Sequence, residues 1–143
     1  MAGDININIK GPVLSVPNSK GKVIIGCQKQ EKEKKDDTKG TIITTFQFYA
    51  YNNSDHPISL MFHGVRIHHP MDDSPYNRLT GQYDFEYLKS KGTTQFYSFE
   101  NLTLRTLLGL PTYSHKEVTA SLQVDVAFTD PVGKIYKQKI KLW

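Results

Sequence analysis

The chain holds one cysteine, Cys27, and one tryptophan, Trp143, among its 143 residues. A single thiol cannot close an intrachain disulfide, so packing alone must hold the fold, as suits a reducing compartment. No apolar run approaches the roughly 18 residues that a membrane-spanning helix needs. Mean hydropathy is −0.48, which also argues against an integral membrane protein. The start, Met1-Ala2-Gly3-Asp4, lacks the basic and apolar regions of a secretory signal. Ala2 stands where a myristoylation pattern needs glycine. Without a signal, the glycosylation-like triplets Asn52-Asn53-Ser54 and Asn101-Leu102-Thr103 read as coincidence.

Catalytic signatures are missing too. There is no Gly-x-Ser-x-Gly elbow, no Walker loop and no Gly-x-Gly-x-x-Gly run. Paired carboxylates occur only as Asp36-Asp37 and Asp72-Asp73, in polar stretches where nothing would desolvate one of them for acid–base work. The expectation is a protein that is not an enzyme and carries no cofactor.

What the chain does have is period-two alternation. Residues 120–128 alternate apolar and polar, and the turn cluster Thr129-Asp130-Pro131-Val132-Gly133 follows. A second alternating run, residues 134–142, puts Tyr136, Ile140 and Leu142 on one face and Lys137, Lys139 and Lys141 on the other. Two such runs around a Pro/Gly turn predict a β-hairpin. Further strands are expected at 4–9, 13–16, 22–27, 41–51, 58–67, 83–87 and 93–99. The phase of apolar residues changes at Gly64, which predicts a bulge. Residues 101–108 fit a short helix, with Asn101 as N-cap and Gly109-Leu110-Pro111 as a stop.

Residues 28–40 contain no apolar side chain and read as a charged, solvent-exposed loop. The mixed charges Glu31, Glu33, Asp36 and Asp37 weaken a phosphate-binding role, which needs a field of one sign. There is no repeat and no linker. The predicted architecture is therefore mostly all-β: one domain over 1–143, an antiparallel two-sheet β-sandwich, immunoglobulin-like or jelly-roll-like, with at most one short helix.

Candidate functional residues follow from this pattern. The formal net charge is +4, and the C-terminal hairpin contributes much of it. Lys137, Lys139 and Lys141 would be spaced about 6.5–7 Å apart on one side of a strand, with Trp143 on the same side by parity. This set is the candidate contact to an anionic membrane surface or RNA. The same lysines would also deter unwanted pairing on an edge strand. Tyr49 and Tyr51 face away from Phe46 and Phe48 on the strand over 41–51, so they are candidates for an oligomer contact. His63, His68 and His69 form the only histidine group, but adjacent histidines on an extended chain point apart, and no metal site is expected. Cys27 reads as a structural thiol. Tyr76-Asn77-Arg78-Leu79 matches a very common sorting-peptide pattern and carries little weight.

The leading expectation is a non-enzymatic, self-associating structural protein with a basic face, comparable by analogy to a small viral matrix or coat protein. It would be cytoplasmic, peripheral at a membrane, or within a virion. The first alternative is an immunoglobulin-like accessory or ligand-binding domain of a larger, membrane-anchored protein that binds another protein. A distant third is a metal-dependent enzyme built on His63, His68 and His69.

Overall fold

The computed structural model describes residues 13–15, 21–33, 42–71, 74–110 and 122–143. The expected strand over 4–9 lies outside them. Among the described residues there are eight strands and one helix: β1 (Val13–Ser15), β2 (Val23–Glu33), β3 (Ile42–Asn52), β4 (Ile58–Ile67), β5 (Glu86–Leu88), β6 (Tyr97–Glu100), α1 (Asn101–Leu107), β7 (Gln123–Thr129) and β8 (Ile135–Lys141). They form two four-stranded antiparallel sheets, ordered β1-β2-β3-β6 and β5-β4-β7-β8. The fold is the two-sheet sandwich that the alternation predicts.

The strand order differs from the ABED/CFG arrangement of an immunoglobulin domain. β3 pairs with β6 while β4, next in the chain, pairs with β5. β3 and β4, consecutive in the chain, thus lie in different sheets, and each takes a partner from the β5–β6 segment.

The core lies between the sheets. Phe46, Phe48 and Ala50 of β3 meet Leu60, Phe62 and Val65 of β4 and Val124, Val126 and Phe128 of β7. Phe62 is the hub: its ring lies 4.9 Å from Tyr97, 5.5 Å from Phe128 and 5.9 Å from Phe99. Offset and edge-to-face aromatic pairs of this kind add about 0.5–1.5 kcal/mol each beyond area burial. Cys27 is fully buried in the same core, and burial pushes its thiol up to about 12. It is the inert structural thiol expected of it.

The bulge appears at Gly64. The β4–β7 register shifts between Phe62 and Gly64, and Gly64 has φ 139°. A Cβ there would lie 2.8 Å from the Asn77 carbonyl oxygen, so both conformation and space require glycine. The shift lets Val65 and Ile67 point inward after Leu60 and Phe62 have done so. It leaves Arg66 on the outer face.

Three expectations are corrected. Residues 28–33 are not loop: they continue β2 and pair with β3 from Gln28↔Gln47 to Glu33↔Ile42. Ladder hydrogen bonds come from the backbone, so a polar strand is held as well as an apolar one once its partner is in place. Gln28 is even buried, while Ile42 at the far end is exposed. Second, the expected strands at 83–87 and 93–99 shrink to β5 and β6. Third, Asn101 is not the N-cap of α1. Glu100 takes that place without a side-chain cap bond, because the Asn101 side chain is engaged elsewhere.

Candidate anion-binding face

The outer face of the second sheet is built by cross-strand register. Arg66 of β4 stands opposite Asp125 of β7, and Asp125 opposite Lys139 of β8. In the adjoining rows Gly64, Ala127 and Lys137 align, and Gln123 faces Lys141. Alternation within each strand sets this face, since Val65, Val124, Val126, Ile140 and Leu142 take the inward positions.

Asp125 is the only acidic residue in β4, β7 and β8. The alternation places it toward solvent, yet it is only 2% exposed. Its Oδ2 accepts from Arg66 Nε at 3.1 Å and its Oδ1 from His68 Nδ1 at 2.7 Å. Arg66 also donates through Nη1 to the Ser74 carbonyl at 2.7 Å, and its guanidinium lies 4.3 Å from the centre of the Tyr76 ring. The segment around Tyr76 and Asn77 is tied down by paired backbone bonds between Asn77 and Val65. It folds over the β4 part of the face and shields the ion pair from water.

The exposed charge is therefore of one sign. Lys137, Lys139 and Lys141 are all exposed, and no ion pair among the described residues engages them. On β4, the pKa of His63 is lowered by burial first and then by the Arg78 and Arg66 charges.

The other candidates are placed differently. Trp143 does not join the lysines. Its ring packs edge-on against Phe46 with centroids 5.6 Å apart, Nε1 donates to Asn101 Oδ1 at 2.8 Å, and Arg105 of α1 lies over the ring. The strand ends at Lys141, so parity no longer governs residue 143, and apolar area turns the ring into the core. Tyr49 is fully buried and Tyr51 nearly so within the single chain. Phe96 packs edge-on to Tyr49, and Gly26 lies directly against the Tyr49 ring, where a Cβ would clash. Neither tyrosine is free to form a subunit contact in this fold.

The histidines disperse. His63 packs on Tyr76, His68 on Asp125, and His69 Nδ1 accepts from the Met71 amide. No three His, Cys, Asp or Glu side chains converge among the described residues. Tyr76 is held between Arg66 and His63 and is not an extended peptide tyrosine. Asn52 is buried, with Nδ2 donating to the His56, Leu88 and Lys89 carbonyls, which leaves no room for a glycan. No helix among the described residues is long and apolar enough to cross a membrane.

The lysine stripe was legible in the sequence. The Arg66–Asp125–His68 cluster was not, because its partners lie 57 and 59 residues apart. One signal was present: an acidic residue set among valines in an otherwise basic hairpin. No protein-family model, curated protein or solved structure matches this chain.

Proposed function

We propose that the chain is a non-catalytic binding and assembly domain that presents the outer face of its second sheet to an anionic partner. One observation carries the reading: the only carboxylate of β4, β7 and β8 is buried in an ion pair, while three lysines on that face stay exposed and unpaired. A face of one sign attracts polyanions and speeds their docking. A small matrix- or coat-like protein needs such a face to assemble against a charged surface. Self-association would have to use surfaces other than Tyr49 and Tyr51.

A competing account has its own support. β8 is an edge strand of its sheet, and edge lysines discourage strand pairing between molecules. Changing Lys137, Lys139 and Lys141 together to Gln separates the two. The docking reading expects the parent to bind a polyanion at low salt, binding to weaken steeply as salt rises, and the variant to lose it with its fold intact. A parent that binds no polyanion at low salt, or a variant that binds as well as the parent, would leave edge protection as the role of the stripe.

A further inference from the structure

We infer that the partner of this face is an anionic lipid surface, and that the β7–β8 turn is the part that enters the headgroup layer. The inference rests on the anionic-partner reading above and adds the identity of the partner. It starts from the exposed apolar side chains. Val132 at the tip of the turn is 88% exposed and Ile135, first in β8, is 47% exposed. Ile135 shares the parity of Lys137, Lys139 and Lys141, so one strand face reads apolar and then cationic. Tyr87 of β5 is 71% exposed and pairs with Ser59 at the start of β4. Met61, two residues on, aligns with Thr129, and Thr129 with Ile135. Tyr87 thus lies at the same end of the sheet as the turn. It sits three strand spacings from β8, about 14 Å.

An apolar tip beside a lysine row matches the gradient at a bilayer surface, where apolar and aromatic groups sit at headgroup depth and lysines meet lipid phosphates and carboxylates. It matches single-stranded nucleic acid poorly. That partner needs a run of aromatic rings beside the cations as stacking platforms; Tyr136, next to Lys137, and Trp143 both pack against the core, and Tyr87 stands on β5, at the opposite edge of the sheet from the lysines.

The amide donors of the turn are also satisfied within it. Asp130 Oδ1 accepts from the Val132 and Lys134 amides at 3.1 and 2.9 Å, and the Asp130 carbonyl accepts from Gly133 at 3.0 Å. Asp130 Oδ2 accepts from the Tyr136 hydroxyl at 3.3 Å. The amides that would lose water on insertion are already satisfied, and the carboxylate that satisfies them is itself occupied. Polar groups paired in this way are what an apolar environment tolerates.

The test is co-sedimentation of the full chain with phosphatidylcholine vesicles, with and without phosphatidylserine, alongside polyuridylate RNA. The parent should bind only the vesicles that contain phosphatidylserine. The Lys137, Lys139 and Lys141 to Gln variant should bind them about a hundredfold more weakly. The double change Val132→Asn and Ile135→Thr, which leaves the charge unaltered, should weaken vesicle binding about tenfold. Both apolar side chains are exposed, and circular dichroism would verify that each variant is folded. A parent that binds polyuridylate but not the charged vesicles overturns the lipid inference and leaves the anionic-partner reading standing. A parent that binds neither overturns both. Vesicle binding unchanged by the Val132 and Ile135 changes overturns insertion of the turn.

Discussion

Asn52 joins the two halves of the sandwich. It ends β3, and its amide group donates to three carbonyls, two of them in the 88–89 segment that leaves β5. Its Oδ1 accepts from the Ser54 amide and hydroxyl. Asn52→Ala would strand these buried groups, and a loss of about 3 kcal/mol in urea unfolding is expected. Asp125→Ala should cost more, about 3–5 kcal/mol, because it leaves the Arg66 charge buried without its partner. His63 supplies a test by pH. Its folded pKa lies below the ordinary 6.5 through burial and then the nearby Arg78 and Arg66 charges. As pH falls through 6.5, the unfolded chain takes up this proton before the folded one does, so the His63 contribution is complete above that pH and declines below it. Subtracting the stability profile of His63→Gln from that of the parent should give a difference that is flat above neutrality and falls in acid. A flat difference throughout would mean that His63 does not feel this environment.

At the scale of elements, alternation located the strands wherever one face is apolar. The β7–β8 hairpin was fully legible because Val124, Val126 and Phe128 face Tyr136, Ile140 and Leu142 across a turn that Asp130 organises. Alternation carries no signal where side-chain chemistry and backbone pairing part company. Gln28 to Glu33 carries no apolar residue, yet it holds the outer half of β3 through the ladder. Deleting 28–33 should therefore unfold the chain or cost as much as a core substitution, although composition alone reads the segment as an exposed loop. A thermal midpoint within a few degrees of the parent would contradict the observed pairing. Helix α1 shows a second limit. Asn101 has the chemistry of a cap, but Trp143, 42 residues away, claims its carbonyl oxygen, and no local pattern announces such a contact. Trp143→Ala should cost about 2–3 kcal/mol, below the full value for a buried Trp because the ring is only partly covered. It should leave polyanion binding unchanged. Weakened binding without lost stability would return Trp143 to the basic face, where parity had placed it.

For the whole molecule, the question is what the unpaired cations contribute beyond solubility. A net charge of +4 spread over 143 residues is modest, so its distribution matters more than its sum. Asp125 is withdrawn from the outer face of the second sheet by Arg66 and His68, which leaves the lysines of β8 without a screening carboxylate. The two roles of those lysines make opposite forecasts for the same protein. If they guard an edge, the Lys137, Lys139 and Lys141 to Gln variant exposes a neutral strand that pairs with its copies, and light scattering should show association growing with concentration. If they dock a charged surface, the variant keeps the size distribution of the parent and loses its partner. The side-chain directions favour the second forecast. These lysines stand perpendicular to the sheet, on the row that begins with exposed Ile135, whereas edge pairing would approach in the plane of the sheet along the backbone of β8. Elements of the other sheet already stand near that edge, since β8 makes contacts with both β1 and β2. The expected result is therefore a triple variant with unchanged scattering at every concentration and no salt-sensitive binding.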